Sequence, residues 1–259
     1  MNETNPTPPQ IPPQIPRPTP PSAAPLGENP DERAPIPNFI GAVEAILRQP
    51  RRLMFQLKQP GAGKLIGAML LVSVVCALVY GVIVGTFSRG DQLWIAPVKI
   101  AGGLIVSALL CLPSLYIFSC LSGSQAKLGE VFGFLAGLLT LMTILLVGFA
   151  PVALIFSTST ESLNWMGTLH LVFWFIATIF GLRFFNAAFS HTNAKSLAGL
   201  HTWAIIFLLV MLQMTTAIRP IVGTSETFFP TEKKFFISHW VDCLKWPQGE
   251  GKYRQQTYP

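Results

Sequence analysis

Apolar positions along this chain fall into five long runs. They are Leu65–Phe87, Leu93–Leu121, Val131–Phe156, Leu163–Phe185 and Leu200–Ile218. Crossing ~30 Å of hydrocarbon takes about 20 helical residues, and each run reaches or nearly reaches that length. The runs predict five membrane-spanning helices joined by short loops. The second is interrupted by Pro97 and Pro113, and the third carries Pro151 near its end. Trp94, Trp165 and Trp203 stand near the starts of three runs, where an amphipathic ring prefers the membrane interface.

The stretch before the first run has a different pattern. Phe39, Ile40, Val43, Ile46 and Leu47 are expected to share one helical face, with Glu44 and Arg48 towards the other and Asn38 as N-cap. Pro50 breaks the pattern, and Leu53, Met54 and Leu57 resume it. Arg48, Arg51, Arg52, Lys58 and Lys64 fall here with no acidic residue among them. The region 38–60 therefore predicts a cationic amphipathic helix on an anionic membrane surface. Gly61, Ala62, Gly63 and Lys64 lack the spacing of a phosphate loop and are followed by Leu65.

Residues 1–37 hold thirteen prolines, including the repeated unit of Pro8–Ile15. Proline fixes φ and removes a donor, so this tail is expected to be disordered: a tether, or alternatively a ligand for a proline-binding partner. Residues 220–259 form a second tail. Phe236, Trp240, Val241 and Leu244 suggest an amphipathic helix in it. The organisation read from the pattern is an all-α polytopic membrane protein: tail 1–37, interfacial region 38–60, a five-helix membrane domain 61–219, and tail 220–259.

Composition agrees. Hydrophobic residues make up 51% of the 259 and charged residues 12%, against roughly 25% charged in soluble domains. The net charge of +6 fits basic residues on the cytoplasmic side rather than a nucleic-acid partner. With the basic stretch inside, Lys127, Arg183 and Lys195 also fall inside, and Arg89, Asp91 and Glu161 outside. This places the amino terminus in the cytoplasm and the carboxyl terminus across the membrane.

Candidate chemistry is sparse. Cys76, Cys111, Cys120 and Cys243 make no CxxC pair, and neither a metal set nor a cofactor motif is found. Lys99 and His170 lie inside runs, without an acid in any run. Lys99 is expected to snorkel and His170 to pack through a hydrogen bond. No hydrolytic motif occurs, so an enzyme is not expected. Small residues are the clearer signal. Gly129, Gly133 and Gly137, and likewise Gly81 and Gly85, recur every four residues, as in close helix packing within a bundle or between subunits. On this reading a Leu at Gly133 disrupts packing far more than a Leu at Phe134, which sits off the stripe.

One pattern crosses from the second run into the third. Pro113, Ser114, Leu115 and Tyr116 are followed by Leu121, Ser122, Gly123 and Ser124, then Leu128 and Gly129, and later Phe149, Ala150 and Pro151. This resembles the Yip family of multipass membrane proteins over roughly Leu65 to Ile218, and most nearly its bacterial members, with Gln213, Met214, Arg219, Pro220 and Gly223 at the close. The resemblance implies five spans, a cytoplasmic amino-terminal tail, a glycine turn after the second span and a scaffold or adaptor role. The expected function is thus a non-enzymatic anchor, scaffold or assembly subunit in a bacterial inner membrane. The alternative is a subunit of a transporter or channel.

Overall fold

In a computed structural model the described residues are 25–88, 92–159, 163–194 and 196–217, and they fold entirely as helices and turns. Three short helices come first: α1 (Pro30–Arg33), α2 (Phe39–Arg48) and α3 (Pro50–Leu57). Five longer ones follow: α4 (Gly63–Ser88), α5 (Gln92–Leu121), α6 (Leu128–Ser159), α7 (Leu163–Ser190) and α8 (Ala198–Ala217). The segments α4 to α7 are long and apolar enough to cross a membrane, whereas the apolar stretch of α8, Ala198–Met214, is shorter. The chain is a multipass membrane protein. The carboxyl-terminal amphipathic helix expected around Trp240 lies outside the described residues.

Within hydrocarbon a helix satisfies its own backbone, and these helices are apolar on both sides. On α4, Leu71, Val75, Val79 and Val82 point outward, while Met69, Ala77, Tyr80 and Val84 are buried. α4 packs between α5 and α6, α7 lies against α6, and α8 against α5. α6 is enclosed on several sides: Val131, Phe134, Leu135, Leu138, Met142 and Leu146 are all buried. Pro97 and Pro113 do not break α5. Rings fill the space between α6, α7 and α8. Phe134 meets Phe189 at 5.2 Å, Phe189 meets Phe185 at 4.8 Å, Phe185 stacks on Trp203 at 5.0 Å, and Trp203 on Phe207 at 5.2 Å.

The turns α5–α6 and α7–α8 share one end of the bundle and are joined there. α5 closes in a Schellman motif. The Ser124 amide donates to the Ser119 carbonyl, the Gly123 amide to the Cys120 carbonyl, and Gly123 adopts φ 72°. The Gln125 amide donates to the Thr192 carbonyl across to the other turn, and the Ser124 and Thr192 hydroxyls are 2.8 Å apart.

α1, α2 and α3 form a collar over this same end. Asn38 caps α2, accepting from the Gly41 amide at 2.9 Å, and Pro50 starts α3. Against the bundle α2 turns a sector beside its large apolar residues. Ala42, Ala45 and Ile46 meet the bundle, while Phe39 and Ile40 remain 55% and 63% exposed and Leu47 is also exposed. At 100° per residue, α2 has three sectors: small residues towards the bundle, large apolar residues outward, and Glu44 with Arg48 on the third side. The small sector is chosen because the helix can approach closest there.

Residues 25–37, expected to belong to the disordered tail, are in fact ordered. α1 is capped by Asn29, whose side chain accepts from the Asp31 amide, and α1 packs on α3. The reason lies in the carbonyls. A proline-rich segment has few donors of its own, and buried carbonyls must find partners. The side chains of α3 supply them.

Candidate functional site

In the collar a network of charged and amide side chains joins the segment 25–37 to α3. Arg51 donates through Nε to Glu32 Oε1 at 2.6 Å and through a terminal nitrogen to the Pro25 carbonyl at 3.2 Å. Glu32 Oε2 accepts the Gly27 amide, and Arg33 Nε donates to the Gly27 carbonyl at 2.8 Å. Arg52 donates to the carbonyls of Ala34 at 3.0 Å and Pro35 at 2.8 Å. Gln56 Nε2 reaches the carbonyls of Arg33 and Ala34. The fork of donors on arginine suits several carbonyls held at fixed spacing. Glu32 is only 7% exposed. The Arg51 guanidinium, followed by the Gly27 amide, holds its carboxyl below the usual carboxylate range.

The five basic residues expected on a membrane surface are thus divided. Arg51 and Arg52 bind the segment 25–37, and Lys58 donates from Nζ to the His191 carbonyl. Arg48 is exposed and 3.6 Å from Glu44, and Lys64 is exposed. Only the last two face outward as an interfacial role requires. Glu32 and Gln56 were not singled out from sequence. The available signal was an acidic patch, Glu28, Asp31 and Glu32, preceding a helix with Arg51, Arg52 and Gln56.

Inside the bundle, the Tyr80 hydroxyl on α4 and Nδ1 of His170 on α7 are 2.7 Å apart, with rings edge-on at 5.6 Å. His170 Nε2 is buried and has no hydrogen-bond partner among the described residues. His170 therefore packs through a hydrogen bond, as expected. Lys99 does not run along the surface of α5 to the interface: it is 3% exposed and turned into the bundle. Trp94 and Trp165 are 77% and 73% exposed at the far end of the bundle. Trp203, by contrast, is fully buried, because its indole N–H donates to the Cys111 carbonyl at 3.0 Å and its faces stack on Phe185 and Phe207.

The glycines do not act as one stripe. A methyl on Gly81 would strike the backbone of Pro97 on α5. One on Gly133 would meet Leu57 and Ile66, and one on Gly137 would meet the Phe184 ring and Met69. Nothing lies within 4 Å of such a methyl on Gly129, and Gly85 is buried. Packing at Gly81, Gly133 and Gly137 is internal to this chain. Phe134 is no neutral position either. It is fully buried against Phe189, because α6 is enclosed on more than its glycine side.

Cys76, Cys111 and Cys120 carry free thiols. Among the described residues, no three His, Cys, Asp or Glu side chains come together as a metal site. Comparison with protein-family models, with curated proteins and with solved structures returns no match.

Proposed function

We propose that this membrane protein is a non-enzymatic anchor or scaffold, whose bundle holds a proline-rich tail at a fixed point of one membrane face for protein partners. The observation that carries the reading is the collar. Glu32, Arg51, Arg52 and Gln56 bind residues 25–37 to the bundle, so residues 1–24 continue from a defined position beside α3. An unanchored tether would need no such network. The bundle interior favours the same reading, being filled by Phe134, Phe185, Phe189, Trp203 and Phe207. The outward sector of α2, with Phe39, Ile40 and Leu47 beside Arg48 and Lys64, suits a helix lying in the interface of a bacterial inner membrane, collar side in the cytoplasm. The resemblance to the Yip family implies a similar role.

The test is co-purification in mild detergent of the full chain and of a chain lacking residues 1–24. Partners that accompany the first and are lost from the second support the reading. An identical set of co-purifying proteins, shared with an unrelated multipass protein, defeats it.

The buried Tyr80–His170 pair and the inward Lys99 favour a second reading, a subunit of a transporter or channel, since polar groups at membrane depth are costly. Flux in proteoliposomes that responds to Tyr80→Phe would select it over the scaffold.

A further inference from the structure

A crevice of about 370 Å³ opens at the collar end of the bundle, where α3 meets the α7–α8 turn. Leu26 and Phe55 line it together with Lys58, Gln59, His191 and Asn193, and Asn193 Nδ2 is 3.5 Å from Gln125 Oε1. That volume lies in the range of small-ligand sites. The polar lining is one-sided. Among the described residues its lining holds an ammonium, two amide groups and an imidazole, and no carboxylate. Lys58 is held in place by its bond to the His191 carbonyl, an acceptor that leaves its charge uncompensated. Asn193 is in the left-handed conformation at φ 58°, in the turn from which Ser190, His191 and Asn193 line the opening. Glu32 is paired with Arg51, and Glu130 on α6 acts on Lys58 through its field.

We propose that this crevice binds a phosphate group, with Lys58 as the charge partner and Gln59 and His191 as hydrogen-bond donors. A phosphate offers several acceptor oxygens and a negative charge, which the Lys58 ammonium and the N–H groups of Gln59 and His191 can meet. At the rim of a membrane bundle the group can belong to a lipid headgroup or to a free phosphate. Phe55 and Leu26 would flank whatever it esterifies.

The electrostatics agree with the geometry. Burial lowers the proton affinity of Lys58, offset in part by Glu130. Burial does the same for His191, reinforced by Arg51 and Lys58 and opposed by Glu32. An anion in the crevice reverses both effects, so its binding strengthens as pH falls and His191 takes up a proton. The proposal does not depend on the scaffold reading and stands if no protein partner is found.

The full chain tests it with two probes. Inorganic phosphate is titrated calorimetrically in zwitterionic detergent, and native mass spectrometry counts phosphatidylglycerol retained from doped micelles. Saturable binding of one equivalent of either probe is expected. Lys58→Gln should weaken it about tenfold or more, while Lys127→Ala, an exposed lysine at the same end, should leave it unchanged. Phosphate without lipid identifies a soluble ligand, and lipid without phosphate a headgroup; either supports the site. Binding of neither probe overturns it, as does equal weakening by Lys127→Ala. If Lys58→Gln does not fold, His191→Gln decides. With phosphatidylglycerol, whose diester keeps one negative charge throughout, wild type should bind more tightly at about pH 6 than at about pH 8, and His191→Gln should bind more weakly and lose that dependence. Wild-type binding in His191→Gln at both values overturns the proposal.

Discussion

Arg51 Nε on α3 lies 2.6 Å from Glu32 Oε1 on α1, and this contact joins residues 19 apart in sequence across the whole of α2. The carboxylate also accepts the Gly27 amide, so one side chain closes both the turn before α1 and the attachment of α1 to α3. Removing it should loosen the turn before α1 and α1 itself, while Arg52 and Gln56 still hold the carbonyls of residues 33–35.

Glu32→Gln is therefore expected to speed protease cleavage between residues 25 and 37 in the folded protein, with thermal stability of the membrane core little changed. The pH dependence has a definite sign. The carboxyl is depressed in the folded state from an ordinary value of 4.5. Its contribution is complete above that value and lost as pH falls through the lower folded value. Wild-type protection should fall in acid below about pH 4.5, and Glu32→Gln should show no such step. Equal cleavage of both proteins at neutral pH would show that the contact does not hold the collar.

Gly81 and Gly67 separate close approach from helix propensity. Both lie in α4, but a methyl at Gly81 meets backbone atoms of Pro97 whereas one at Gly67 meets nothing within 4 Å. Gly81→Ala should cost about 1–3 kcal/mol by overpacking against a partner that cannot rotate away. Gly67→Ala should stay within about 0.5 kcal/mol of wild type. Thermal unfolding in detergent compares them, and equal melting points would place α5 further from α4 than the structure does.

Trp203 fastens α8 by two means. Trp203→Phe keeps an aromatic face for Phe185 and Phe207 but deletes the donor to the Cys111 carbonyl, at a cost of about 1 kcal/mol. Trp203→Ala also removes the ring, at about 3–5 kcal/mol. Chemical unfolding in mixed micelles measures the difference. A Phe variant as damaged as the Ala variant would make the hydrogen bond, rather than the stack, the main attachment.

α4, α6 and α8 all start at the collar end, so the proposed fifth crossing by α8 puts residues 1 and 259 on opposite faces. Reporter fusions at both termini should give opposite signals, with the amino-terminal one cytoplasmic. Matching signals would show that α8 does not cross.

Much of the architecture is legible without the structure. Five apolar runs of near-spanning length, the cap at Asn38 and the break at Pro50 are local properties, because period, length and turn chemistry act over a few residues. The same locality explains the misses. That Ala42 and Ala45 meet the bundle is not written in the period of α2, since the choice of sector belongs to the surface it meets. Lys99 and Trp203 look like interface residues by their positions near span ends. Whether a side chain turns in or out depends on a neighbour such as Phe185 or the Cys111 carbonyl, 92 residues away from Trp203.

What the sequence determined by itself is the environment: a chain 51% hydrophobic and 12% charged suits lipid rather than water around most of its surface, and its helices follow from that. Tertiary structure alone decided which basic residues act on the protein and which face outward. Arg51, Arg52 and Lys58 read as surface charge beside Arg48 and Lys64, because charge pattern carries no record of the carbonyls of Pro25, Ala34, Pro35 and His191. Those carbonyls need donors only once the chain has brought them together and away from water.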